Sequence, residues 1–207
     1  MRRTRWTFVA VSRRGRAFFE NAALPVVRLF ARAGVSPNLL TAAGVGLTFL
    51  SLFFYGLARV ERVYFLAAGF ALSFGALLDG LDGSLARLTG SHSRLGAFVD
   101  SVSDRVSDSL IVVGFMLTGH VDGLLAVLML ALSMLVSYVR ARGESLNVSL
   151  KEVGIGERAV RVVAAILGTF LAYLNPLTLY GSAVFISVVS FITVVQRVWA
   201  TAVALRG

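Results

Sequence analysis

Residues 79–104 read DGLDGSLARLTGSHSRLGAFVDSVSD and set Asp79, Asp82, Asp100 and Asp104 against long apolar runs on either side. Five of the chain's eleven acids fall between residues 79 and 108, Asp108 being the fifth. At helical spacing Asp79 and Asp82 lie about 60° apart on one face, and Asp100, Asp104 and Asp108 drift by only about 40° per step, which makes two acidic stripes. A carboxylate at the centre of a membrane helix costs about 2.5–3.5 kcal/mol on insertion scales, so something must neutralise these groups. Three readings follow from the residues: a divalent-metal site built of hard oxygen ligands, a water-lined cation or proton path, or pairing with Arg87, Arg94 and Arg105. Gly75, Gly80, Gly83, Ser84, Ala86, Gly96 and Ala97 crowd the same two segments. Small residues let helices approach closely in a bilayer, and a tight acid-lined crossing suits a metal site better than a wide pore.

Outward from this stretch, the chain of 207 residues is 57% hydrophobic and 15% charged, with a mean hydropathy of +0.81. Soluble domains are roughly 45–50% apolar and about 25% charged, so the composition excludes a soluble enzyme or a disordered tail. The chain has no cysteine, which excludes thiol catalysis, zinc–thiolate centres and disulfides. The net charge of +9, in a chain this apolar, points to anionic lipid and not to nucleic acid. Apolar segments of membrane length predict six spans, near 38–58, 64–87, 95–118, 123–142, 158–174 and 177–200. Before them, residues 1–35 interleave Arg2, Arg3, Arg5, Arg13, Arg14, Arg16, Arg28 and Arg32 with Trp6, Phe8, Phe18, Phe19, Leu24, Val27 and Leu29. That pattern predicts an amphipathic helix lying in the interface. The fold expectation is thus an all-α integral membrane protein, with an N-terminal interfacial helix over 1–35 and a six-helix domain over 36–207. Basic residues in the short loops place both termini in the cytoplasm: that side collects the N-terminal arginines together with Arg87, Arg94, Arg140, Arg142, Lys151, Arg158, Arg161, Arg197 and Arg206, against Arg59 and Arg62 opposite.

The pattern Asp79-x2-Asp82-Gly83-x2-Ala86-Arg87-x8-Gly96-x3-Asp100-x3-Asp104 resembles the signature of the CDP-alcohol phosphotransferases, with all eight positions present at the family's spacing. Ser36-Pro37-Asn38 followed by Thr41 at the start of the first span extends the likeness. The resemblance implies a metal-dependent membrane enzyme that displaces CMP from a CDP-lipid (CDP-diacylglycerol or its archaeal ether counterpart) with an alcohol. It implies that Asp79, Asp82 and Asp100 hold two divalent ions, Mg²⁺ or Mn²⁺, with help from Asp104, and that Asp104 is also the general base. Pro37, Asn38, Thr41, Gly83, Ala86, Arg87 and Gly96 would form the site of the CDP-donor. The residue types suit that chemistry. Paired divalent ions offset charge on a departing phosphate oxygen, a carboxylate within reach can take the alcohol proton, and Arg87 offers fork-shaped donors to phosphate.

A second polar set, Ser137-Tyr138-x-Arg140-x-Arg142-x-Glu144 and then Glu157-Arg158-x2-Arg161, lies in the fourth and fifth spans. Guanidinium groups converging beside the acidic stripes suggest an acceptor that itself carries a phosphate. The arrangement resembles the branch of the family that uses inositol phosphate, in which residues matching Arg140, Arg142 and Arg158 bind the acceptor phosphate. Gly143 stands where that branch leads us to expect alanine. The expectation is therefore a phosphatidylinositol-phosphate-type synthase in the plasma membrane of a prokaryote, its active site cytoplasmic and its assembly a homodimer. Two alternatives remain: a synthase taking glycerol 3-phosphate, and, from another class, an acid-lined cation transporter.

Overall fold

A computed structural model of the chain describes residues 22–206. The first part of the expected interfacial helix, with Trp6 and the arginines up to residue 16, lies outside the described residues. Residues 22–32 are helical and are called α1. Six helices follow: α2 (Pro37–Leu57), α3 (Tyr64–Thr89), α4 (Arg94–Leu117), α5 (Gly123–Ser145), α6 (Arg158–Ala172) and α7 (Leu177–Arg206). No strand occurs among the described residues.

Local sequence sets the ends of these helices. Ser36 caps α2, its Oγ accepting from the Leu39 N–H at 3.3 Å, and Pro37 fills the first helical position, where no N–H is needed. Ser93 caps α4 in the same way through the Gly96 N–H at 2.9 Å, and Asp122 caps α5 through the Leu125 N–H at 3.0 Å. Gly90 ends α3 at φ 66°, a left-handed conformation that suits glycine.

Four helices, α2, α3, α5 and α7, are long and apolar enough to cross a membrane. The two remaining expected spans depart from that standard for different reasons. α4 has 24 residues, ample length, but carries the acidic stripe from Asp100 to Asp108. α6 has 15 residues, about 22 Å of helix, which is short of the roughly 30 Å hydrocarbon core.

The principal helix contacts run α2–α3, α3–α6, α6–α7, α7–α5, α5–α4 and α4–α2, so they close a ring. In this ring α3 and α4 are not a principal pair; α2 packs along both. The small residues therefore act differently from the expectation. The close crossing lies between α2 and α3, where a Cβ added to Gly44 would come within 2.9 Å of the Gly75 carbonyl oxygen, and one added to Gly75 within 2.9 Å of the Gly44 oxygen. Tyr55, Phe65, Leu72, Phe115, Met129 and Ile186 fill the middle of the ring, and the buried Tyr55 hydroxyl is satisfied by Thr169 Oγ1 at 2.5 Å. A second, smaller cluster packs Ala23 and Val27 of α1 against Leu40, Leu81 and Leu85. It fixes the start of α2 to the last turns of α3, at the end of the ring where the aspartates stand.

Candidate active site

Asp79 and Asp82 project from the second half of α3 and Asp100 from the second turn of α4. One carboxylate oxygen of each lies within 4.8 Å of the others. Three hard anionic donors converging from two helices fit a divalent cation, and like charges this close repel one another unless a cation lies among them. Asp82 is the buried member, 5% exposed, and Thr41 of α2 donates its hydroxyl to Asp82 Oδ2 at 2.5 Å. Thr41 was expected at the CDP-donor; here its hydroxyl orients a candidate metal ligand. The remaining donor-side residues surround the same end. A Cβ added to Gly96 would sit 3.9 Å from Asn38 Oδ1, so the starts of α2 and α4 face each other. Arg87 folds back along α3, giving a hydrogen bond to Ser84 Oγ at 3.0 Å and passing over Gly83. Pro37 supplies a backbone oxygen to Thr41 at 3.2 Å, and Ala86 lies half-buried on the same turn as Arg87.

Asp104 stands one turn beyond Asp100 and meets arginine. Arg158, the first residue of α6, places Nη1 2.5 Å from Asp79 Oδ2 and 2.7 Å from Asp104 Oδ1, while its Nε lies 3.3 Å from Asp108 Oδ1. Arg105 adds a contact to Asp104 Oδ2 at 3.4 Å. The sequence expectation gave Arg158 to the acceptor phosphate; its guanidinium spans the boundary between the aspartates and the space beyond them.

That space is a cavity of about 1020 Å³. Asp100, Asp104 and Arg105 of α4 form one wall. Opposite stand Arg140 and Glu144 of α5, Lys151, Glu152 and Glu157 of the 146–157 loop, Arg158 and Arg161 of α6 and Arg197 of α7. Arg140 reaches it and is held by Glu144 at 3.0 Å. Arg142 does not line it: two residues on, it projects from another side of α5, is exposed, and gives a hydrogen bond to Ser145 Oγ at 3.4 Å.

Sequence reasoning undervalued two cavity residues. Arg161, 4% exposed, donates to Asp108 Oδ2 at 2.9 Å and to the Gly156 carbonyl oxygen at 2.9 Å. Arg197, 3% exposed, donates to the carbonyl oxygens of Val153 at 2.8 Å and Val136 at 2.7 Å, so it ties α7 to the loop and to α5. Its signal was present in the sequence, a lone arginine in a long apolar run, by the same argument that singles out the aspartates. The loop between is drawn onto α7 at Gly156, whose N–H donates to Thr193 Oγ1 at 2.7 Å and whose position leaves no room for a Cβ beside the Val189 oxygen.

The sequence profile of the CDP-alcohol phosphatidyltransferases matches residues 34–205. The chain belongs to this family. CDP-alcohol phosphatidyltransferases are transferases, and this membership sets aside the cation-transporter reading of the acidic stripes. The chain is 37% identical over 172 residues to an archaetidylinositol phosphate synthase of Pyrococcus horikoshii, covering 83% of this chain and 86% of that protein. It also resembles the crystal structure of Mycobacterium tuberculosis phosphatidylinositol phosphate synthase with CDP-DAG bound, at 26% identity and a TM-score of 0.74, over 86% of this chain and 92% of that one. The same mycobacterial enzyme in complex with manganese and citrate matches with a TM-score of 0.73 and 26% identity, over 86% of this chain and 87% of that one. A divalent ion in that relative accords with the acidic cluster of this CDP-alcohol phosphatidyltransferase.

Proposed function

We propose that the enzyme transfers a phosphatidyl-type group from a CDP-lipid to inositol phosphate and releases CMP. The observation that carries this reading is the cavity itself: it opens from Asp100 and Asp104 onto a wall of Arg140, Arg158, Arg161 and Arg197. A neutral acceptor has no use for so many guanidinium groups, whereas a phosphate takes charge-assisted, often bidentate hydrogen bonds from them. The names of the relatives, an archaetidylinositol and a phosphatidylinositol phosphate synthase, support the same acceptor.

In this reading residues 36–207 form the catalytic domain and residues 1–35 an interfacial helix. α4 and α6 join the four apolar helices to give six spans, since the charges of α4 are met from inside the ring by Arg158 and Arg161. The loop arginines put the cavity on the cytoplasmic side of a prokaryotic plasma membrane. A homodimer belongs to the same reading.

The donor's cytidine diphosphate lies among Pro37, Asn38, Gly83, Ala86, Arg87 and Gly96. Thr41 acts on it indirectly, by holding Asp82. Asp79, Asp82 and Asp100, with Asp104, would hold two divalent ions, which when bound offset the negative charge gathering on the departing CMP oxygen. The acceptor phosphate rests on Arg140, Arg158, Arg161 and Arg197, and Arg142 stands outside the cavity lining. Because Arg158 touches Asp104 directly, a phosphate held there brings the acceptor hydroxyl to the carboxylate. Asp104 takes the hydroxyl proton, the oxygen bonds to the lipid-bearing phosphorus, and the bond from that phosphorus to CMP breaks.

The test is CMP release by purified enzyme in Mg²⁺ or Mn²⁺, with CDP-diacylglycerol or CDP-archaeol as donor and a panel of alcohol phosphates. Turnover with inositol phosphate well above glycerol 3-phosphate is expected. Preference for glycerol 3-phosphate would leave the phosphate cavity standing and overturn the inositol assignment.

A further inference from the structure

Asp108 lies outside the family signature and is 6% exposed. Its two oxygens are divided between two cations of α6: Oδ1 faces Arg158 Nε at 3.3 Å and Oδ2 accepts from Arg161 Nη2 at 2.9 Å. Arg105, on its own helix, adds a longer contact of 3.7 Å to Oδ2. Arg158 is thereby gripped on two sides of its guanidinium plane, with Nε on Asp108 and Nη1 on Asp79 and Asp104. Arg161 in turn reaches the Gly156 carbonyl oxygen, whose residue is fastened to Thr193 of α7. One buried carboxylate thus links α4, the start of α6 and the loop that closes the cavity.

We infer that Asp108 is the positioning residue of the acceptor subsite. It fixes the aim of Arg158 and Arg161, so that both guanidinium groups are set for an acceptor phosphate before it arrives. The inference rests on the acceptor reading given above. Chemistry separates the tasks: Arg158, held through Nε and Nη1, keeps Nη2 for a second anion, Arg161 is anchored through both Nη atoms, and a long flexible side chain loses less freedom on binding when it is already anchored. Asp108 touches neither the three-carboxylate cluster nor the donor-side residues directly; it reaches Asp79 only through Arg158, which Asp79 and Asp104 hold independently.

The test is a double-mutant cycle on the full-length enzyme with Asp108→Asn, Arg158→Ala and the pair, reading acceptor KM, donor KM and Mn²⁺ affinity by electron paramagnetic resonance. Asp108→Asn is expected to raise acceptor KM about tenfold, the scale of one buried charge-assisted hydrogen bond, and to leave donor KM and Mn²⁺ affinity within about twofold. If Asp108 works through Arg158, the pair has the acceptor KM of Arg158→Ala alone; a purely structural loss moves all three readouts and adds to Arg158→Ala. Additive effects, or an unchanged acceptor KM in Asp108→Asn, overturn the positioning role. An unchanged acceptor KM in Arg158→Ala overturns the acceptor reading itself. Should Asp108→Asn not fold, Asp108→Glu keeps the charge and displaces it, and the same non-additive rise in acceptor KM is expected; an additive rise or none overturns the role.

Discussion

The two halves of the active site are built in different ways. The donor half comes from the start of α2, the end of α3 and the start of α4, and its carboxylates fall inside one window of sequence. The acceptor half is gathered from α4, α5, the 146–157 loop, α6 and α7, so its residues run from Asp104 to Arg197. In the first half, helical periodicity puts Asp79 and Asp82 on one face of α3 and Asp100 and Asp104 on one face of α4, and only the joining of the two faces depends on the fold. In the second, nothing local says which arginine turns inward; that is decided by the ring of helix contacts.

The difference can be broken or sharpened by substitution. The largest effects belong to the donor half. Asp82→Asn should reduce CMP release below detection and weaken Mn²⁺ binding together, whereas Asp104→Asn should stop turnover and keep most binding of the CDP-donor. Turnover within threefold of the parent for Asp104→Asn removes it as the base. Next is Thr41→Val, which deletes the hydroxyl that Asp82 accepts. Loss of such an orienting partner costs about 10- to 100-fold in metal affinity or activity, and Thr41→Ser should recover most of it. A nucleotide contact would instead raise donor KM at unchanged Mn²⁺ affinity. The smallest effect is expected in the acceptor half at Arg142. Exposed and away from the cavity, its change to alanine should raise acceptor KM by no more than about threefold, against roughly 10- to 150-fold for an arginine that contacts phosphate. A large rise at Arg142 would mean that the α5 surface, and not the cavity wall, meets the acceptor.

The contrast also explains what was legible. Helix positions followed from the apolar runs, and the expected segments coincide closely with α2 to α7; the structure adds the residues that fix their ends, Ser36-Pro37, Gly90, Ser93 and Asp122. Helix pairing was not legible: the glycines suggested an α3–α4 crossing, yet Gly75 meets Gly44 of α2. The three-carboxylate cluster was readable in part: Asp79 and Asp82 sit three residues apart on α3, while Asp100 was tied to them by the family's spacing and not by periodicity. Arg197 was counted only with the topology-setting arginines, since positive charge near a membrane surface serves topology and binding alike; Asp108 was read as part of an acidic stripe, without sight of its partners on α6. Arg142 shows the converse: spacing from Arg140 matched, but two residues along a helix point to different sides.

The central claim is that one half of the site holds a CDP-lipid at the aspartates while the other holds the phosphate of the acceptor. The most direct measurement compares CMP release by the parent enzyme with inositol phosphate and with unphosphorylated inositol, at equal CDP-lipid and Mn²⁺. The account predicts turnover with the phosphate ester and almost none with free inositol, and a gap between the two that narrows sharply in Arg158→Ala. Equal rates with both acceptors in the parent enzyme would contradict it.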